Sequence, residues 1–304
     1  MPRSGTALIA TAILVLAAAG DACGQETEKI SGGGGLNLAI YEAGNPAGPS
    51  IVFLHGFTGS HLSWERQFSG PLADEFRLIA IDLRGHGASD KPLEPENYTN
   101  SVLWAEDLVA VIRAKNLEQP VLVGWSYGGK MICDYLRVFG EEAISGLVFV
   151  GAVPKAGTEE AKAFLGSELL EVFGGVLAAD VQTSIASTRV FLRLLTAQPM
   201  SRDEFEFALS SAMMVPPEVR LALYSREFDN DDVLASISVP TLVVQGTADR
   251  MVRLSAAEHI VQTVRGAVLH TYEGVGHAPH FEDPERFNSD LAEFVRSALR
   301  DPSR

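Results

Sequence analysis

Short, unbroken apolar runs alternate along this chain with longer segments whose apolar residues recur every three or four positions, and few architectures accommodate that rhythm. Residues 36–42, 51–55, 78–82, 121–123, 147–150, 242–245 and 268–272 are the strand candidates. Most are continuous Val, Ile, Leu and Phe, the pattern of strands covered on both faces. Residues 64–75, 102–115, 127–139, 256–264 and 285–299 carry helical spacing. In the last of these Phe287, Leu291, Phe294, Val295 and Leu299 form one stripe behind Pro284. Strands alternating with helices predict an α/β fold, a mostly parallel sheet with helices on both faces.

The rhythm breaks between Pro154 and Asp232. That stretch shows no convincing β run. It holds helix-length segments at residues 161–170, 189–195 and 203–214, punctuated by Gly174–Gly175, Pro199 and Pro216–Pro217, and reads as a helical insertion. No internal repeat appears, and the run Ser31–Gly35 lacks the Lys-Ser or Lys-Thr of a phosphate loop.

At the N-terminus Arg3 precedes an apolar run from Ala7 to Ala19 broken only by Thr11, too short to span a bilayer and suited to the core of a signal peptide. Ala22 and Gly24 supply the small residues for a cut before Gln25, so residues 1–24 are expected to be removed and the protein exported, to the periplasm or beyond. Lipid attachment at Cys23 is the poorer reading, because the position three residues ahead is Gly20 rather than the lipobox Leu. Cys133, in an apolar helical stretch, reads as a small core residue. A formal charge of −15 argues against nucleic acid and against anionic membrane surfaces. The expected partner is a neutral or weakly polar small molecule, with no stable membrane insertion after signal cleavage.

Gly124-Trp125-Ser126-Tyr127-Gly128-Gly129 is a G-x-S-x-G sequence between a strand and a helix. The match alone arises by chance in roughly one chain of this length in ten. Its position raises its weight: a sharp strand-to-helix turn needs small flanking residues, lifts a serine oxygen above the sheet edge and sets it over unpaired N–H groups of the helix. A second oxyanion donor is expected from His55-Gly56-Phe57-Thr58-Gly59, after the strand 51–55. The donors would then be the backbone N–H groups of Phe57 and Tyr127.

Serine is a weak nucleophile until a histidine accepts its proton and a carboxylate fixes the imidazole tautomer. On such a sheet the chain order is Ser, acid, His. Asp249, after strand 242–245, and His277, after strand 268–272, satisfy it, and loops at the carboxyl ends of parallel strands converge on one face. His280 is the rival base. His277 is preferred because Gly276 lets its loop approach the serine, whereas His280 leads into the last helix. His55 is expected to make structural hydrogen bonds, His86 to sit in a turn, and His259 and His270 to serve in a helix and a strand. No spacing supports a metal site, and no cofactor is implied.

These blocks together resemble the α/β-hydrolase family, from about Leu36 to Leu299. The matching blocks are His55-Gly56, the run from Asp82 through Arg84-Gly85-His86-Gly87 to Asp90, the elbow at Ser126, Gly246-x-x-Asp249-x-x-Val252 and Gly276-His277. The resemblance implies an eight-stranded sheet, with core segments 25–153 and 233–304 and a cap at 154–232 over the active site. Within that family Ser126 stands where haloalkane dehalogenases and epoxide hydrolases have Asp. Tyr127 and Thr58 depart from the haloperoxidase and perhydrolase pattern, and the Gly-Pro-Gly loop of carbon–carbon bond hydrolases is missing. What remains is a carboxylic ester or lactone, acyl-homoserine lactones included, cleaved through an acyl-enzyme on Ser126, with a preference for short to medium acyl chains. Perhydrolase-like chemistry and a non-catalytic receptor are the alternatives. Trp125, Phe191, Leu195, Met213 and Met214, with Phe57 and Tyr127, are expected to line the apolar pocket.

Overall fold

A computed structural model describes residues 26–300. The expected signal segment, its cleavage point and Cys23 lie outside them. Eight strands form one sheet: β1 (Glu26–Ser31), β2 (Asn37–Gly44), β3 (Ser50–Leu54), β4 (Arg77–Asp82), β5 (Val121–Trp125), β6 (Gly146–Val150), β9 (Thr241–Gly246) and β10 (Val268–Tyr272), in the order β1-β2-β4-β3-β5-β6-β9-β10. β1 and β2 pair antiparallel, as do β2 and β4, and every other pairing in the sheet is parallel. β7 (Lys155–Ala156) and β8 (Phe228–Asp229) form a separate antiparallel pair at the base of the insertion.

The seven strand candidates all sit within sheet strands, with ends that differ by a few residues. β1 escaped notice for a physical reason: an edge strand packs one side only, and in Glu-Thr-Glu-Lys-Ile-Ser the buried apolar residue is Ile30. Successive residues of the central strands face opposite layers. Val52, Leu54, Ile79, Ile81 and Leu122 pack under the helices Ser101–Ala114, Tyr127–Phe139 and Leu254–Thr263. Ile51, Phe53, Leu78, Ala80, Val121 and Val123 pack on the other side with Trp64, Phe68 and the stripe of helix Pro284–Ala298.

Two expectations for helices need correction. The segment 64–75 is not one helix but two short ones, Glu65–Phe68 and Leu72–Glu75, parted at Gly70-Pro71, where proline removes an N–H donor. The insertion begins with Glu159–Lys162 and Ser167–Val176 rather than one helix over 161–170, because Leu165 bridges to Val252 of the sheet-end loop. Gly174–Gly175 lies inside that second helix instead of ending it. A side chain on Gly175 would meet Ser187 Oγ at 1.9 Å, so the glycine permits close contact with helix Val181–Leu194. Helices Arg202–Met213 and Pro217–Tyr224 complete the cap.

The chain leaves β3 toward β4 on one side and reaches β5 on the other. The loops after β3 and β5 therefore diverge and open a crevice at the carboxyl ends of the strands, the place where such sheets bind ligands.

Candidate active site

Ser126 follows β5 with φ 52° and ψ −113°, a strained backbone region for a residue with a side chain. The surroundings enforce it. Its N–H donates to Val150 O at 2.8 Å and its carbonyl accepts from Gly129 N at 3.0 Å. A Cβ on Gly128 would lie 2.3 Å from Leu54 O, so the elbow presses against the end of β3 too closely for any side chain there. Tyr127 opens the helix Tyr127–Phe139, whose first N–H groups have no intrahelical acceptor and whose dipole is positive at this end. Gly56, Phe57, Ser126, Tyr127 and His277 border one cavity.

Asp249 and His277 are both 1% exposed at the side chain, and His277 Nδ1 lies 2.7 Å from Asp249 Oδ2. The carboxylate also accepts from Gln245 Nε2 at 2.8 Å and from the N–H groups of Met251 at 2.8 Å and Val252 at 2.9 Å. With donors surrounding it, the carboxylate is the acceptor toward the imidazole as well, which puts the proton on Nδ1 and leaves Nε2 free to take one.

The histidine loop is fixed from both sides. His277 N donates to Leu195 O of the cap at 2.9 Å, and Trp125 Nε1 donates to His277 O at 2.8 Å. Glu282 accepts from Gly276 N at 2.9 Å and from Ala197 N at 2.7 Å, tying the loop to the cap. This corrects the reason given for Gly276: its missing side chain makes room for the cap, since a Cβ would lie 2.6 Å from Ala197 N.

The other histidines are occupied elsewhere. His55 Nδ1 donates to Gly56 O at 2.8 Å while Nε2 accepts from Leu83 N at 3.1 Å, and burial pushes its pKa down to about 4. His86 bonds Arg84 O within its turn, and burial lowers its pKa to about 3. His280 is buried between Trp64 and Trp125, which with the neighbouring His277 and Arg66 pushes its pKa down to about 3. The Asp82–Asp90 block is structural. Asp82 accepts from His61 and Ala88, and those bonds outweigh burial to hold its carboxyl at about 2. Arg84 forms a two-bond pair with Asp107. Burial pushes the Cys133 thiol far up, against any nucleophilic role.

Two cavities meet here. One of about 120 Å³ contains Ser126 and His277, and one of about 400 Å³ lies beside it; Phe57, Trp125 and Leu195 border both. Phe191 lines the smaller, its ring 6.1 Å from that of Phe57, and Phe57 also meets Phe173 at 5.3 Å. Met213 and Met214 line neither cavity, contrary to expectation. Met213 Sδ meets Arg220 Nη2 at 3.5 Å and Met214 is 55% exposed, because helix Arg202–Met213 presents Phe207, Ala208 and Ser211 to the larger cavity instead.

Sequence reasoning missed Lys130, one helical turn beyond the elbow. It borders the smaller cavity and is 2% exposed, with Nζ 4.1 Å from the Phe228 ring centroid and 4.9 Å from that of Tyr127. Beside it Arg226 engages both oxygens of Asp134. Burial, with the Arg226 charge adding to it, lowers the Lys130 pKa well below the usual lysine range. The one available signal was a lysine within the apolar segment after the serine.

Residues 49–284 match a protein family described as alpha/beta hydrolase fold. The chain is 35% identical to a putative aryl esterase from Burkholderia cenocepacia, with TM-score 0.81 and coverage of 92% of this chain and 100% of that one. It is 34% identical to an esterase from Rhodococcus sp. ECU1013, with TM-score 0.85 over 90% and 99%. A non-heme chloroperoxidase of Streptomyces lividans is 30% identical over 86% of this chain and 97% of its own length.

Proposed function

This chain belongs to the α/β hydrolase fold family, and from that premise we propose that it is a serine hydrolase of small carboxylic esters, with Ser126 as nucleophile, His277 as general base and Asp249 as the orienting acid. The observation that carries this is the 2.7 Å bond from His277 Nδ1 to Asp249 Oδ2, which leaves Nε2 as the free nitrogen in the cavity that Ser126 lines. Ser126 Oγ attacks the carbonyl carbon as His277 Nε2 takes its proton. The N–H groups of Phe57 and Tyr127 receive the oxyanion, each contributing about 3–4 kcal/mol of barrier lowering. His277 returns the proton to the leaving alcohol, and water then attacks the acyl-enzyme by the same relay. The cavity of about 120 Å³ favours short to medium acyl chains. The N-terminal run supports export as part of this reading.

A fluorophosphonate probe is expected to label wild type and not Ser126→Ala. Unlabelled wild type that still binds small molecules would replace the enzyme with a receptor. Nitrophenyl esters of graded chain length, assayed beside lactones, decide the acyl preference; greatest kcat/KM on long chains or on lactones would overturn it. The likeness to a chloroperoxidase supports a second reading, in which hydrogen peroxide instead of water attacks the acyl-enzyme and releases a peracid. Peracid formation from ester and peroxide, absent in Ser126→Ala, is its test.

A further inference from the structure

Lys130 is a buried amine without a matching anion. Asp134, the nearest acid on its helix, is taken at both oxygens by Arg226, one bond measuring 2.7 Å. Among the described residues no carboxylate lies within ion-pair distance of Lys130 Nζ, and its one described polar contact is the Arg226 carbonyl at 3.5 Å. The Tyr127 and Phe228 rings offset only part of the lost hydration, since a cation–π contact is weaker than the hydration it replaces. Lys130 and the Asp134-paired Arg226 both line the cavity that also holds Ser126 and His277, and no carboxylate is among the residues that line it. Side chains on a helix lean toward its N-terminus, so the ammonium is carried back toward the serine.

The geometry points to a subsite for a second carboxylate: we propose that the preferred substrate is a half-ester of a short dicarboxylic acid, whose free carboxylate is the counter-ion that Lys130 lacks. This rests on the esterase reading. The acyl arm is assigned to the smaller cavity because the larger one reaches the surface at Phe207 and at the Arg66–Glu204 pair, which gives the alcohol its exit.

The test compares methyl hydrogen glutarate with methyl 5-methylhexanoate, a neutral ester of matching shape, by kcat/KM in wild type, Lys130→Met and Lys130→Arg. Wild type is expected to favour the half-ester by about ten- to hundredfold, the range for a charged hydrogen bond. Lys130→Met is expected to abolish that ratio and Lys130→Arg to keep part of it. A wild-type ratio near one overturns the proposal, as does a ratio that survives in Lys130→Met. Calorimetric binding of glutarate to Ser126→Ala, with and without Lys130→Met, requires no turnover. Lysine-dependent binding in a protein that hydrolyses neither ester would uphold the subsite while sinking the esterase reading. Absence of lysine-dependent binding overturns the subsite.

Discussion

Ser126 and Asp249 make the sharpest demands at the scale of single residues. Asp249 accepts from Gln245, Met251 and Val252 as well as from His277, so Asp249→Asn would keep the shape but turn an amide donor toward Nδ1 or another N–H. The imidazole would then settle in the wrong tautomer, and kcat is expected to fall on the order of ten-thousandfold with little change in thermal stability. Ser126→Ala, His277→Ala and their double variant are expected to be equally inactive, because the residues act as a unit; additive losses in ester hydrolysis would contradict the relay. The three proposed catalytic residues could be singled out in the sequence because each stands in a short motif at a strand end. Lys130 was not, because its significance lies in what Arg226, ninety-two positions from Asp134, does to the one acid of its helix.

The elements contribute by close approach. Gly128→Ala would drive a Cβ to 2.3 Å from Leu54 O, and the required shift of the elbow or of β3 is expected to cost about 1–3 kcal/mol, seen as a lower denaturation midpoint with activity lost alongside. Glu282 links the histidine loop to the cap through Gly276 and Ala197. Removing one of its acceptors in Glu282→Gln is expected to loosen the His277 loop and lower kcat/KM by about tenfold, since misplacement of this kind erodes catalysis. An unchanged kcat/KM would show that Trp125 and Leu195 hold the loop unaided. Strands with continuous apolar runs were legible, whereas β1, β7 and β8 were not: the first exposes Glu28, Lys29 and Ser31 around a buried Ile30, and the others are two residues long. Helix limits inside the cap failed for a related reason, since Gly166 and Gly175 take their roles from Arg250, Met251 and Ser187 across the fold.

For the whole molecule, buried neutral histidines tie stability to pH. Burial holds His280 near 3 and His86 near 3, with His55 near 4, all below the usual 6.5. Between those values the unfolded chain binds protons that the native protein refuses, so their stabilisation is full above pH 6.5 and declines as pH falls toward the folded values. Each costs about 2 kcal/mol between pH 6.5 and 5. Urea unfolding of wild type against His280→Phe checks this: the variant should lose less stability between those pH values, and parallel losses would contradict the burial of a neutral ring. Net charge marks the boundary between the two levels of reading. A formal −15 spread over the chain argued for a neutral or weakly polar ligand, while the cavity beside Ser126 is lined by Lys130 and by Arg226, the partner of Asp134. By itself the sequence determined the α/β alternation, the insertion and the three motifs, because periodicity and turn chemistry are local. Only the tertiary structure decided which cap side chains face the cavity, why Gly276 is small and where a charge is left unmatched, because burial and pairing depend on segments that meet only in the folded chain.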